Sequence, residues 1–192
     1  MNKIKPGLII LMTLTSLNVF GQFEIGLKGG LNISNVRNKD ISYFERVSPI
    51  PGFHIGLFTQ VDFTDKFHLN SEVLISSRGF RLVVFAQRKE TIYLEIPVLL
   101  TYSLIEKVEI EFGPDLGVMV SNNSENIDDN FFSYESLDVG LATGLRYKLN
   151  DKMYFIGRYY HGLTSIGELF SQNSKSFNRV VQFSVGYKLS NN

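Results

Sequence analysis

From residue 23 to residue 189 apolar residues recur at alternate positions, the period of a strand with one face turned to an apolar medium. In the first segment Phe23, Ile25, Leu27, Leu31 and Ile33 alternate with Glu24, Gly26, Lys28, Gly30 and Asn32. The second sets Phe53, Ile55, Leu57, Val61 and Phe63 against His54, Gly56, Gln60 and Asp62, and the third sets Phe67, Leu69, Val73 and Ile75 against His68, Asn70, Glu72, Ser76 and Arg78. Ile92 to Tyr102 opposes Tyr93, Glu95 and Thr101, and Val108 to Val120 opposes Glu109, Glu111, Gly113, Asp115 and Gly117. In the sixth, Leu137 to Leu149 opposes Asp138, Gly140, Ala142, Gly144, Arg146 and Lys148. The seventh, Met153 to Ser165, is less regular, with Phe155 and Tyr159 against Arg158 and Tyr160. The eighth sets Val181, Phe183, Val185, Tyr187 and Leu189 against Asn178, Gln182, Ser184, Gly186 and Lys188. The pattern predicts eight strands and no helix.

The connections alternate in length. Thr64-Asp65, Ser103 to Lys107 and Asn150 to Lys152 are short; the stretches about Ser34 to Ile50, Gly79 to Glu90, Ser121 to Tyr134 and Ile166 to Lys175 are long and polar. Antiparallel neighbours put the short turns on one rim and the long loops on the other, as in membrane barrels with short periplasmic turns and long external loops. Segments of about 10–13 residues suit a tilted membrane strand, which needs about 9–11. Phe23, Phe63, Phe67, Tyr102, Tyr147, Phe155 and Tyr187 fall on the apolar face near the short-turn ends, the placement of an interfacial girdle. The expected fold is all-β: an eight-stranded antiparallel up-and-down transmembrane barrel. Alternation alone does not distinguish inside from outside, so a secreted lipocalin-like barrel, with its apolar face lining a ligand cavity, is the alternative. Glycines on the polar face (Gly26, Gly30, Gly56, Gly113, Gly117, Gly140, Gly144, Gly186) favour a narrow polar lumen and lipid outside. Pro97 and Pro114 each remove a ladder donor, so bulges are expected at both.

The 19 basic and 19 acidic residues balance, which excludes the basic face of a nucleic-acid binder. Without cysteine there is no disulfide, thiolate metal site or cysteine nucleophile. Lys3 and Lys5, the apolar run Leu8 to Leu17 and the stretch Asn18 to Gly21 read as a secretory signal peptide over residues 1–21, too short to span a membrane. The mature domain, residues 22–192, then carries 17 basic and 19 acidic residues, net −2, because both lost charges are lysines.

No catalytic constellation emerges. His54, His68 and His161 lack the spacing of HExxH or a GxSxG companion, and the lumen-facing ones read as hydrogen-bonded filler. Glu125, Asp128 and Asp129 lack the glycine of a calcium loop and read as a solvated loop; Gly26, Gly29 and Gly30 sit in a strand, with no following helix to cradle phosphate. No metal, cofactor or enzymatic activity is expected. The residues singled out are the charges that alternation turns inward: Glu24, Lys28, Glu72, Arg78, Glu95, Glu109, Glu111, Asp115, Arg146, Lys148, Arg158 and Lys188, with Asp62 and Asp138 beside them. In a low-dielectric interior these should pair. Glu24 is expected to meet Lys188, Arg146 and Lys148 to meet Glu109 and Glu111, and Arg158 to face Glu72, Glu95 and Asp115.

The stretches GLKGGLNIS (26–34), YLEIPVLLTY (93–102), EFGPDLGVMV (111–120), LDVGLATGLRYKL (137–149), FIGRYYHGLTSI (155–166) and VQFSVGYKL (181–189) occur in order across the mature chain. In them the chain resembles the eight-stranded outer-membrane barrel proteins of the PorT type from Bacteroidetes. It departs from barrels that end on an aromatic residue, closing instead on Leu189-Ser190-Asn191-Asn192. The resemblance implies an outer-membrane location, lipid as the surrounding partner and a non-enzymatic structural, surface-binding or secretion-related role. A protein partner would meet the external loops.

Overall fold

The computed structural model describes residues 23–38, 47–83, 87–124, 132–169 and 175–189. The signal peptide expected over residues 1–21 and the Glu125, Asp128 and Asp129 group lie outside the described residues. The strands are β1 (Phe23–Asn38), β2 (Val47–Asp62), β3 (Phe67–Leu82), β4 (Gln87–Ile105), β5 (Val108–Ser124), β6 (Phe132–Tyr134), β7 (Leu137–Lys148), β8 (Met153–Gly162), β9 (Gly167–Leu169) and β10 (Lys175–Lys188).

Eight of them, in the order β1-β2-β3-β4-β5-β7-β8-β10, form an antiparallel up-and-down sheet that β10 closes by pairing with β1. Followed from partner to partner, the register leaves β1 at Phe23, passes Val61, Leu69, Leu100, Phe112, Thr143, Tyr159 and Val181, and returns to β1 at Ile33. The offset of ten residues, with eight strands about 4.8 Å apart and a rise of about 3.3 Å per residue, sets a strand tilt of about 40° and a backbone radius of about 8 Å. Such a barrel is only wide enough for side chains to fill.

The apolar parity faces outward on all eight strands, with Leu31, Leu57, Phe112, Leu145 and Phe183 half exposed or more, while the polar parity is buried. This overturns the lipocalin-like alternative, which needs the apolar face inside. Phe63, Phe67, Tyr147, Phe155 and Tyr187 are exposed at the short-turn end, and the Phe67 and Tyr102 rings lie 4.9 Å apart across β3 and β4. Inside, glycine makes room for rings. A Cβ on Gly26 would come within 2.3 Å of the Phe58 ring, and one on Gly140 within 2.5 Å of the Tyr160 ring.

The short turns carry their own signals. Thr64 Oγ1 accepts the Phe67 amide at 3.0 Å, and Asn150 Oδ1 accepts the Lys152 and Met153 amides at 2.9 Å, the local bonding that suits Thr and Asn to turns. At the other rim the strands outlast the apolar pattern. β3 and β4 stay paired to Leu82 and Gln87, and β4 and β5 to Lys89 and Ser124, because backbone pairing does not depend on an apolar outward row.

Two stretches expected to be loop also hold strand: β9 pairs with β10, and β6 pairs with β9. Beside this extension the chain delivers Ile166 into an apolar cluster with Val36, Phe80 and Leu82, against which Val47 packs. The cluster lies at the long-loop ends of β1 and β3.

Neither Pro97 nor Pro114 forms the expected bulge. Register shifts fall between Pro49 and His54, between Ile92 and Tyr93, and between Ser103 and Ile105. Pro97 pairs with Asp115, Pro114 pairs with Leu141, and the unshifted β4–β5 register sets Pro114 opposite Val98. The two lost donors thus fall in one stretch of the ladder, and no extra residue is needed to absorb them.

Candidate functional site

The chemistry of the molecule lies in its lumen, in tiers set by how far each inward residue stands from its short turn. In the lowest tier Lys188 Nζ donates to Glu24 Oε1 at 2.5 Å and lies 5.5 Å from the Tyr154 ring centroid. Lys148 Nζ and Arg146 Nη1 lie 2.7 and 3.6 Å from Glu109, and the Arg146 guanidinium stacks 4.6 Å from Tyr154. Both expected pairings form, with Glu109 as the acid. Glu111 goes elsewhere.

In the middle tier Arg158 Nη1 and Nη2 donate to the two oxygens of Glu72, each at 2.8 Å, and its Nε donates to Glu111 Oε1 at 2.6 Å. Lys28 Nζ donates to the same Glu72 carboxylate at 2.8 and 3.1 Å. Two cations and two carboxylates are therefore joined in one fully buried group. The bidentate fork is the strong geometry for an Arg–carboxylate pair.

In the upper tier Arg78 sits among three carboxylates: its Nε is 2.6 Å from Glu95, its Nη1 3.0 Å from Asp138 and its Nη2 3.7 Å from Asp115. The guanidinium carbon lies 4.2 Å from the Tyr160 ring centroid and 5.3 Å from that of Tyr93, and Asn178 Nδ2 donates to Asp138 at 2.8 Å. Here the structure corrects the expected partners of Arg158. Glu72 is one of them, but Glu95 and Asp115 belong to Arg78. Height explains the exchange of Glu95: Arg158, Glu72 and Lys28 each lie five residues from the short-turn end of their strands, whereas Glu95 and Asp138 lie ten and Arg78 eleven, and Asp115, at seven, is the most distant acid of the Arg78 group.

Polar residues outside the charged set complete the filling. His54 Nδ1 donates to Asn32 Oδ1 and its Nε2 meets Ser184 Oγ, both at 2.8 Å, while Asn32 Nδ2 reaches Ser76 Oγ at 2.8 Å and the Ser77 carbonyl at 2.9 Å. Lys89, which the sequence reading left out, is also buried and inward. His161 faces outward with Tyr159.

One arrangement invites a catalytic interpretation. Asp62 Oδ1 lies 2.7 Å from His68 Nδ1, and His68 Nε2 lies 3.1 Å from Ser103 Oγ, the order of an acid–base–nucleophile chain. The next neighbour argues against it: Ser103 Oγ donates to Glu109 Oε1 at 3.4 Å, and a carboxylate there opposes the negative charge that an attacking serine and its intermediate develop. Gln60 Nε2 further ties Asp62 at 2.7 Å and its Oε1 accepts from Arg146 at 3.3 Å, so these residues are part of the bonding at the short-turn end of the lumen. Among the described residues no group of His, Asp and Glu is placed to hold a metal ion.

The comparisons agree with this architecture. The described barrel is similar in structure to Neisserial surface protein A (TM-score 0.55, 10% identity, 86% of this chain and 97% of that one). It is similar to OprG of Pseudomonas aeruginosa (0.53, 16%, 88% and 96%) and to Ail, the attachment invasion locus protein of Yersinia pestis (0.51, 14%, 86% and 98%). At such identities the likeness is one of fold. No curated protein matches the sequence. The family model described as the outer membrane protein beta-barrel domain matches residues 15–168. With an apolar belt outside, a charged and bonded lumen inside and that match over most of its length, the chain belongs to the outer membrane protein beta-barrel domain family.

Proposed function

We propose that the protein is a closed, non-enzymatic outer-membrane barrel that holds its long-loop rim at the cell surface as a platform for binding or assembly, its short turns lying in the periplasm. The filled lumen carries this reading: Lys28, Arg78, Arg146 and Arg158 are buried and paired with acids at three heights, and an apolar cluster packs at the long-loop end. On this reading residues 1–21 are removed on export, the PorT-type resemblance marks the branch of the family, and a protein partner meets the long loops. The cysteine-free chain makes the test direct. Single-cysteine variants Asn126→Cys and Asp151→Cys are treated in intact cells with a membrane-impermeant maleimide. Labelling at 126 and protection at 151 is the expected result; the reverse pattern overturns the orientation and with it the surface role.

A further inference from the structure

The belt is not smooth. Across β4, β5, β7, β8 and β10 the outward face holds a groove of about 610 Å³ walled by Phe112, Leu145, Tyr159 and Phe183, with Thr143 and Gly157 in its floor. Gly157 occupies an outward position where a Cβ would meet nothing within 4 Å, so the depression is the place of an absent side chain. A second depression of about 460 Å³ continues it past Phe155 and Tyr147 toward the short-turn rim. From Phe155 to His161 is six residues on β8, about 20 Å along the strand and about 15 Å along the axis at a tilt of about 40°, so the two depressions rise from the short-turn girdle across the middle of the belt, and the part from Gly157 to His161 lies toward the long-loop side.

At the long-loop end of the groove the chemistry changes. Arg179, paired with His161 across β10 and β8, stands two residues above Val181, and its Nη1 donates to Tyr159 Oη at 2.8 Å and contacts His161 Nδ1. Arg37 lies on the outward face of β1, two residues beyond Asn35, the register partner of Arg179. Ten residues separate Arg179 from Leu189, about 25 Å along the axis, so Arg179 sits at the upper border of an apolar band of the usual height of about 25 Å. The arginines Arg78, Arg146 and Arg158 in the lumen and the surface Arg88 all have a carboxylate partner; among the described residues Arg37, Arg81 and Arg179 have none, and of these Arg37 and Arg179 stand close together on β1 and β10. Two guanidinium groups without a carboxylate partner at the headgroup level, above the upper end of an apolar groove, match an anion carried on an acyl chain. A guanidinium fork is suited to phosphate.

We infer that this groove and its arginine cap form a binding site for one phosphate-bearing lipid of the leaflet on the long-loop side, an acyl chain lying over Gly157 and the phosphate held by Arg179 and Arg37 with His161 beside them. In the proposed orientation that leaflet is the outer one, and the lipid is a phosphorylated glycolipid. The site itself does not depend on orientation.

The test is native mass spectrometry of the full mature chain released from detergent micelles that contain bis-phosphorylated lipid A, dephosphorylated lipid A or phosphatidylethanolamine. One retained bis-phosphorylated lipid A per chain is expected, at least tenfold above either of the other two. Arg37→Ser with Arg179→Ser should lower retention at least fivefold. Gly157→Phe, which fills open space and leaves the cap intact, should lower it as much, while Gly157→Ala should not. The heat-dependent gel shift of each variant verifies the folded barrel. Equal retention of all three lipids, retention unchanged in Gly157→Phe, or a dimer that Gly157→Phe dissolves, which would make a second copy the occupant, each overturns the inference. Because the micelle presents lipid to every face alike, failure here is separable from failure of the surface-labelling test of orientation.

Discussion

Replacing Arg158 by leucine probes the lumen at its most connected point. The guanidinium makes three charge-assisted bonds, two to Glu72 and one to Glu111, and is fully buried. Its loss affects the two acids unequally. Glu72 keeps Lys28 at 2.8 Å, whereas Glu111 loses the cation that held it. Stranding one buried charge costs about 3–5 kcal/mol, so Arg158→Leu should destabilise the barrel by about that amount. Arg158→Leu with Glu111→Leu should recover most of the loss, because it removes the stranded acid and leaves the Lys28–Glu72 pair in place. Arg158→Leu with Glu95→Leu should recover nothing and lose more, since Glu95 is bound to Arg78 at 2.6 Å. The assay is equilibrium urea unfolding in phospholipid vesicles, with the folded fraction read from the gel mobility of unheated samples and the midpoint converted at constant slope. Equal recovery by Glu95→Leu and Glu111→Leu, or no loss in the single variant, would refute the tiered pairing.

The outward face is tested by Leu57→Arg, midway along β2 and half exposed, which should cost about 2–4 kcal/mol in vesicles and much less in a detergent micelle that deforms around the charge. Gly140→Val should destabilise by about 1–3 kcal/mol in the urea assay, because its Cβ would press on the Tyr160 ring and the His161 carbonyl, both within 2.5 Å. Purified monomer should give no steady conductance in planar bilayers; a stable ion-selective current would show that the tiers part. Ile166→Asp should raise amide exchange in β9 and the ends of β1 and β3, leaving β7 and β8 protected, since it puts a charge into the cluster at the long-loop mouth alone.

Much of this architecture was legible residue by residue. A strand's side chains alternate with period two, so Lys28, Glu72, Glu95, Arg78 and Arg158 were assigned to one face from their neighbours alone, and the alternation of short and long connections placed the strand ends on two rims. Alternation by itself is symmetric under exchange of inside and outside, so in the sequence the side of that face rests on the aromatic girdle, the alternating loop lengths and the glycines of the polar row; the closed sheet agrees by burying the charged parity. Partner choice also waited for the fold. Arg158 meets Glu111 and Arg78 meets Glu95 because closure with an offset of ten residues brings distant strands together at defined heights, and no local pattern encodes that offset. β6 and β9, three residues each, are too short to show a period and exist by pairing with each other and with β10. Nor did the prolines announce their joint effect, since Pro97 and Pro114 lie 17 residues apart in the chain and fall in one stretch of the ladder only when β4 and β5 align. The groove over Gly157 has the same origin. One glycine in an outward row says little, but beside Thr143, between Phe112 and Phe183 and below Arg179, it becomes a trough with a cap, because side chains from five strands must be brought edge to edge before an absent one leaves a shape.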